Sequence, residues 1–204
     1  MYSIRMVRVS IGERRQSTEW EVDGHWHFVT IHCHQSLPTA AKLELQELDQ
    51  ALAALDIKSE GFRQLQQRYL VNLEKHLDVG SSFAPFKQKR ACEMCMMAFA
   101  MMQDEGWLVG EATIMPNHVH LLIYRQNSAY SLTQILSRFK GRSTRWVNQG
   151  LKQAIQLWQD DWFDRRIHQN NERAEVVAYI RNNPVKVGLV SEWSQHRWRI
   201  SGDA

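Results

Sequence analysis

The chain has 204 residues, 44% hydrophobic and 23% charged, which is the make-up of one globular domain with insertions or at most two small ones. It holds no run of about eighteen apolar residues, which excludes a membrane-spanning helix, and its three cysteines, an odd number, give no disulfide framework and fit a reducing, cytoplasmic setting. The net charge is +3 and the pI near 8.8; residues 137–204 hold 12 Lys and Arg against 7 Asp and Glu, a balance of +5 that leaves −2 for residues 1–136, so a polyanionic partner is expected at the carboxyl-terminal third.

Residues 1–24 are polar and irregular. They carry Arg5, Arg8, Arg14 and Arg15 without an apolar block, so they read as an amino-terminal extension and not as a secretory signal. Residues 26–34 (WHFVTIHCH) alternate and are rich in β-formers, which predicts a strand ended by Ser36, Leu37 and Pro38. Leu45, Leu48, Leu52 and Leu55 share one face of a helix over 40–57, and Leu65, Tyr69, Leu73 and Leu77 follow one turn apart in a second. Gly80, Ser81 and Ser82 break the chain. A third helix, 87–104, has Cys92, Cys95, Met96, Phe99 and Met102 as its apolar stripe. The β-type runs 107–114 and 118–125 flank Met115, Pro116 and Asn117 and predict a hairpin, since proline cannot donate to a ladder. A fourth helix, 131–149, sets Leu132, Ile135, Leu136, Phe139, Trp146 and Val147 on an apolar side and Arg138, Arg142 and Arg145 on a basic one. Residues 157–168 (LWQDDWFDRRIH) return as a strand or extended segment. A fifth helix, 171–183, has Glu172 and Glu175 near its positive end and stops before Pro184, because the residue preceding a proline avoids the α region. The mixture predicts an α+β fold, one antiparallel sheet with packed helices.

His118-Val119-His120 carries the strongest local chemistry. On a strand, residues i and i+2 point to one face, so the two imidazoles can hold one metal ion while Val119 packs behind them. Two ligands leave positions open for a substrate oxygen and call for a third ligand from elsewhere. His25/His27 and His32/His34 have the same spacing, and spacing alone does not choose among the three pairs; position favours 118/120, which begins a strand just after a turn. Tyr179 and Asn183, four apart on the fifth helix, lie on one face. A tyrosine with a reference pKa near 10 attacks a phosphodiester only where a cation favours the phenolate; the alternative is a half-buried aromatic on an amphipathic helix.

GEATIMPNHVHLLI (110–123) resembles the HUH-motif strand of the REP-associated tyrosine transposases, relatives of the single-tyrosine insertion-sequence transposases. YIRNNPVKVGLV (179–190) resembles their tyrosine helix, LWQDDWFDRRI (157–167) their intervening Trp-Gln segment, and HFVTIHCHQSLP (27–38) their first strand; the spacing through HLDVGS (76–81) also fits. The resemblance covers about residues 25–190, and residues 1–24 have no counterpart in it. It implies a ferredoxin-like or RRM-like HUH nuclease fold over 25–190, with a helical insertion at about 40–105 between the first strand and the HUH hairpin, and a tail over 191–204. It also implies a metal-dependent single-stranded DNA endonuclease and strand transferase. In it His118 and His120 would be metal ligands, Asn183 the third ligand, and Tyr179 the nucleophile that forms a 5′-phosphotyrosine and releases a 3′-OH. The cofactor would be a divalent metal, Mg or Mn, and the partner single-stranded or hairpin DNA of REP-like palindromes. Monomer and homodimer both stay open, in a nucleoid-associated setting.

Two readings compete with this one: a non-catalytic nucleic-acid-binding module on a similar fold, and a metal hydrolase that uses water in place of tyrosine. The basic stripe of Arg138, Lys140, Arg142 and Arg145 is a candidate DNA-backbone surface, and Arg165, Arg166, Arg197 and Arg199, near Trp193 and Trp198, a second one. Cys92-x-x-Cys95 falls on an apolar stripe with no second such pair in the chain, so it reads as core.

Overall fold

Alternating burial builds the centre of the molecule. In the computed structural model, which describes residues 24–202, the first strand β1 spans Trp26–His32 and the third, β3, spans His118–Arg125; they pair antiparallel with Thr30 opposite His120 and His32 opposite His118. Around them the sheet is completed by β2 (Trp107–Ile114), β4 (Phe163–Ile167) and β5 (Arg199–Ser201), in the order β4-β1-β3-β2-β5, every pair antiparallel. The expectations for residues 1–23 lie outside the described residues.

Among the described residues, five α-helices cover the two faces: α1 (Thr39–Ala53), α2 (Glu60–Asp78), α3 (Lys89–Asp104), α4 (Leu132–Leu151) and α5 (Asn170–Lys186). On one face Val29, Ile31, Val119, Leu121 and Ile123 pack against α3 and α4, where Phe99 and Phe139 stack with centroids 5.0 Å apart. On the other, Phe28, Leu122 and Phe163 meet α1, α2 and α5 through Leu45, Leu73, Leu77, Val176 and Ile180. Both layers remove large apolar side chains from water, the dominant favourable term in folding. The fold is the expected α+β sandwich of one antiparallel sheet and packed helices.

Local chemistry sets the register. Gly110 forms a bulge in β2, between Val109 opposite Ile123 and Glu111 opposite Leu122; a side chain there would meet the Trp26 ring at 2.6 Å. The extra residue turns Glu111 and Thr113 towards the α5 layer while Ala112 and Ile114 stay in the α3–α4 core. Gly106 links α3 to β2 at φ +83, where an added Cβ would lie 2.5 Å from Asn127 Oδ1.

Two expectations are corrected. Pro184 does not end the fifth helix; the helix runs on to Lys186. A proline costs the i→i−4 bond to Ile180, but the following amides recover the terminal carbonyls: Val187 donates to Asn183 and Leu189 to Pro184. Residues 191–204, expected as a tail, supply β5, which pairs with β2 and sits beside the bulge, where the Gly202 amide donates to the Gly110 carbonyl at 2.6 Å. The cysteine expectation holds: Cys33, Cys92 and Cys95 are free and buried, and burial pushes the Cys92 thiol up to about 12.

Candidate active site

The alternation of β3 sends Val119 into the α3–α4 core and His118 and His120 to the α2–α5 layer, both almost fully buried. Their Nε2 atoms lie 3.0 Å apart. The orientation of His118 is fixed from behind. Asn117 donates its amide to the Leu77 carbonyl at 3.1 Å, so its Oδ1 is the acceptor that faces His118 Nδ1 at 2.8 Å. His118 therefore carries its proton on Nδ1 and keeps a lone pair on Nε2. His120 is held by Thr30 Oγ1, 2.9 Å from its Nδ1. An HxH strand with both rings anchored through Nδ1 is a site that points two Nε2 atoms at one spot.

Helix α2 brings a residue that sequence reasoning did not select. Glu74 is buried at 4% exposure, with Oε1 3.6 Å from His120 Nε2, and with the two histidines it forms a group whose ligand atoms lie within 4.8 Å of one another. Neither carboxylate oxygen has a hydrogen-bond partner. Burial pushes the Glu74 pKa up, but the neighbouring His120, through its charge and its hydrogen bond, outweighs it and holds the carboxyl down at about 2. Burial, with His120 beside it, pushes His118 down to about 3. A signal was present in the sequence: Glu74 interrupts the apolar stripe of Leu70, Leu73 and Leu77, and a carboxylate on a buried helix face needs a counter-charge.

Helix α5 supplies Tyr179 and Asn183. The Tyr179 ring stands edge-on to His120, centroids 5.5 Å apart, and to Phe28, 5.6 Å apart. Its hydroxyl and Asn183 Oδ1 are both enclosed without a hydrogen-bond partner. Burial first, and then the Glu74 charge, pushes the phenol well above its ordinary pKa. The helix is tied down at two points. Arg181 grips the buried Glu111 of β2 at 3.2 and 2.9 Å, and Lys186 pairs with Asp78 at the end of α2. A cavity of about 250 Å³ opens onto His118 between Leu77, Asp78, Lys87, Asn117 and Val187.

The structure thus brings together His118, His120, Tyr179 and Asn183. It sets Arg138, Lys140, Arg142 and Arg145 apart, on α4 across the sheet. Arg138 and Arg142 both bind Glu105, at the end of α3, and Arg138 lies over the Tyr130 ring. Lys140 donates to the Asp160 carbonyl at 2.7 Å. His32 borders the site as a support: its Nδ1 meets Ser36 Oγ at 2.9 Å and its Nε2 lies 3.6 Å from Asp161. His27 faces the opposite layer, against Trp107.

The donor set suits a divalent cation. It offers two imidazole nitrogens, a carboxylate with both oxygens unsatisfied and an orphaned amide oxygen, all buried. The 3.0 Å Nε2 separation is about that of neighbouring donors on an octahedral ion with bonds of about 2.1 Å.

The model of the family described as "Transposase IS200 like" matches residues 84–183, about half of the chain. Among solved structures, that of a REP-associated tyrosine transposase bound to a REP hairpin is similar in fold: TM-score 0.51 at 14% identity, over 91% of this chain and 81% of that one. A candidate transposase from Deinococcus radiodurans R1 is 15% identical over 83% of this chain and 97% of its own, with a TM-score of 0.36. No curated protein matches. The matched segment contains the histidine strand, the tyrosine and the asparagine on its helix, and the strand that joins them, and over residues 84–183 this chain is similar to the IS200-like transposase family.

Proposed function

We propose that this protein cleaves and rejoins single-stranded DNA, as a transposase or in processing of REP-like palindromes, with Tyr179 as nucleophile. The observation that carries the reading is the gathering of four buried oxygens without a hydrogen-bond partner, two on Glu74 and one each on Tyr179 and Asn183, where Glu74 and Tyr179 meet the His118–His120 pair and Asn183 neighbours Tyr179. Buried polar groups without partners are rare in native structures and cost about 1–3 kcal/mol each. A fold that collects three such groups in one place is holding places for a ligand.

His118, His120, Glu74 and Asn183 would hold a divalent cation, Mg or Mn given the oxygen donors. When bound, such an ion offsets the Glu74 charge that disfavours the phenolate and neutralises the scissile phosphate. The chain does the rest. Phe28 and His120 orient the Tyr179 ring, so that its oxygen meets a phosphate entering by the His118 cavity. The Tyr179 oxygen–phosphorus bond forms, the bond from phosphorus to the 3′ oxygen breaks, and the phenol proton ends on that oxygen as a 3′-OH. Attack by a 3′-OH on the 5′-phosphotyrosine reverses the step, joins strands and restores the phenol. The phosphodiester energy is conserved throughout, so no nucleotide cofactor is consumed.

The REP hairpin bound to the structural relative makes hairpin DNA the first substrate to try. Incubation with labelled single-stranded hairpin DNA and Mg or Mn, followed by a denaturing gel, tests the proposal. Label migrating with the protein, lost in Tyr179→Phe, is the expected result. Cleavage without covalent capture would instead indicate a water-using hydrolase, and binding without cleavage a non-catalytic module.

A further inference from the structure

Helix α5 carries a third polar residue on the stripe that presents Tyr179 and Asn183. Lys186 follows the tyrosine at the i+7 position, about two turns on, and so falls on the same side of the helix. It is the last residue of α5, a rise of about 10 Å beyond Tyr179. Side chains on a helix lean towards its amino-terminal end, which carries the Lys186 ammonium back towards Asn183 and the histidines. No step of the proposed cleavage uses this cation.

Its partner is Asp78, the last residue of α2. As a purely structural pair the contact is poorly placed. Asp78 stands at the negative end of the α2 dipole, where a carboxylate is disfavoured, and its Oδ1 is buried with no hydrogen-bond partner. Lys186 is 50% exposed, so solvent screens the attraction. Both members border the site. Asp78 lines the cavity that opens onto His118, and so does Val187, the chain neighbour of Lys186. After burial and His120, the Lys186 charge is among the causes that push the His118 pKa down. After burial and Glu74, the Asp78 charge is among those that push the Tyr179 phenol up. The acid thus opposes the phenolate that attack requires, and it occupies a cation that suits an incoming phosphate.

We propose that Lys186 is a substrate-binding residue of the cleavage site, held by Asp78 in the free protein and passed to a DNA phosphate next to the scissile one when the strand enters the His118 cavity. The exchange conserves charge: the ammonium leaves a carboxylate oxygen, takes a phosphate oxygen, and keeps its proton. Asp78 is left on the cavity wall, where water reaches it. The carboxylate therefore competes with DNA for one cation, and removing it has the opposite effect to removing the lysine.

This inference rests on the reading of the protein as a single-strand DNA enzyme, and binding and capture test the two apart. The whole chain with Tyr179→Phe, carrying Lys186→Met, Lys186→Arg or Asp78→Asn in addition, is titrated in Mn with a labelled hairpin bearing a single-stranded flank. Anisotropy is read across a salt series, and thermal unfolding of each variant is recorded. Lys186→Met should weaken binding about tenfold, the low end for a hydrogen bond to a charged group, and lower the salt slope by about 0.7, one phosphate contact. Lys186→Arg should restore both. Asp78→Asn should tighten binding, because it frees the lysine. A pair that only ties α5 to α2 gives another pattern: Lys186→Met and Asp78→Asn lower Tm alike and weaken binding alike, or leave binding unchanged. Either result overturns the proposal. Should Asp78→Asn fail to fold, the contrast of Met with Arg in affinity and salt slope decides, and equal values for the two refute the contact. Covalent capture by the protein with native Tyr179 reports the cleavage reading. Capture with binding unmoved by Lys186→Met keeps that reading and removes Lys186 from it; the expected binding pattern without capture does the reverse.

Discussion

At the scale of single residues, the proposed mechanism separates a group that would react from groups that would aim it. Tyr179→Phe removes one oxygen and keeps the ring against Phe28 and His120; covalent capture should vanish while DNA binding stays within about twofold, and capture surviving the change would assign the nucleophile elsewhere. Asn117 touches no reacting atom, yet it sets the tautomer of His118. Asn117→Ala should cost about 10–100-fold in metal affinity or activity, the usual effect of losing an outer partner of a metal-binding histidine. Metal titration and cleavage rates would show it, and a variant equal to the parent in both would refute the role. His118 and His120 were legible because their pairing is local: spacing of two on a strand and a turn just before. Glu74 was legible only as a charge on an apolar helix face; its pairing with the histidines was not, since it lies 44 residues before His118 and only the packing of α2 over β3 brings it there. The same packing separates the look-alike pairs, because His32 is occupied by Ser36 and Asp161 and His27 turns to the opposite layer.

At the scale of elements, periodicity carried far where both faces of an element are decided by burial. The hairpin strands 107–114 and 118–125 emerge with the boundaries read from the sequence, because their apolar runs are long and Pro116 marks the turn. Three-residue β5 has no periodicity to read and exists through its pairing with the bulged end of β2. The end of α5 was misjudged because a proline near a helix terminus removes one hydrogen bond where the neighbouring amides can still serve the last carbonyls. That helix matters most, since its placement aims Tyr179. Arg181→Ala leaves Glu111, 1% exposed, with an unmatched charge in the layer. The loss should be about 1–3 kcal/mol in stability, reduced by water entering where Arg181 is itself 39% exposed. Cleavage should fall more than DNA binding, because α5 loses its tie to the sheet. Thermal unfolding together with kcat and KM reads both effects; a variant that loses stability with unchanged kcat would show that the Arg181 anchor does not aim Tyr179.

At the scale of the whole molecule, the sheet divides labour. The α2–α5 face holds the candidate chemistry, and the α3–α4 face holds the larger core and the three α4 arginines. Composition suggested that the basic excess would meet DNA, but charge counted along a sequence carries no information on which face it occupies, and here Arg138 and Arg142 are spent on Glu105. That cluster joins the end of α3 to α4, so its titration should appear in stability. The hydrogen bond from Arg142, followed by that from Arg138, holds the Glu105 carboxyl at about 2, against an ordinary value of 4.5. A carboxyl whose folded pKa is depressed contributes stability that is fully present above about pH 4.5 and is lost as pH falls through 4.5 towards 2. Other groups titrate in the same window, Glu74 among them, so the test is a difference. Glu105→Gln should be less stable than the parent at neutral pH, and the gap in Tm between the two should narrow steadily below about pH 4.5. Arg142→Ala should narrow it in the same way, with the salt slope of DNA binding unchanged. A constant gap across the acid range would show that Glu105 is not tied by these arginines in solution, and a reduced salt slope in Arg142→Ala would return that face to the DNA.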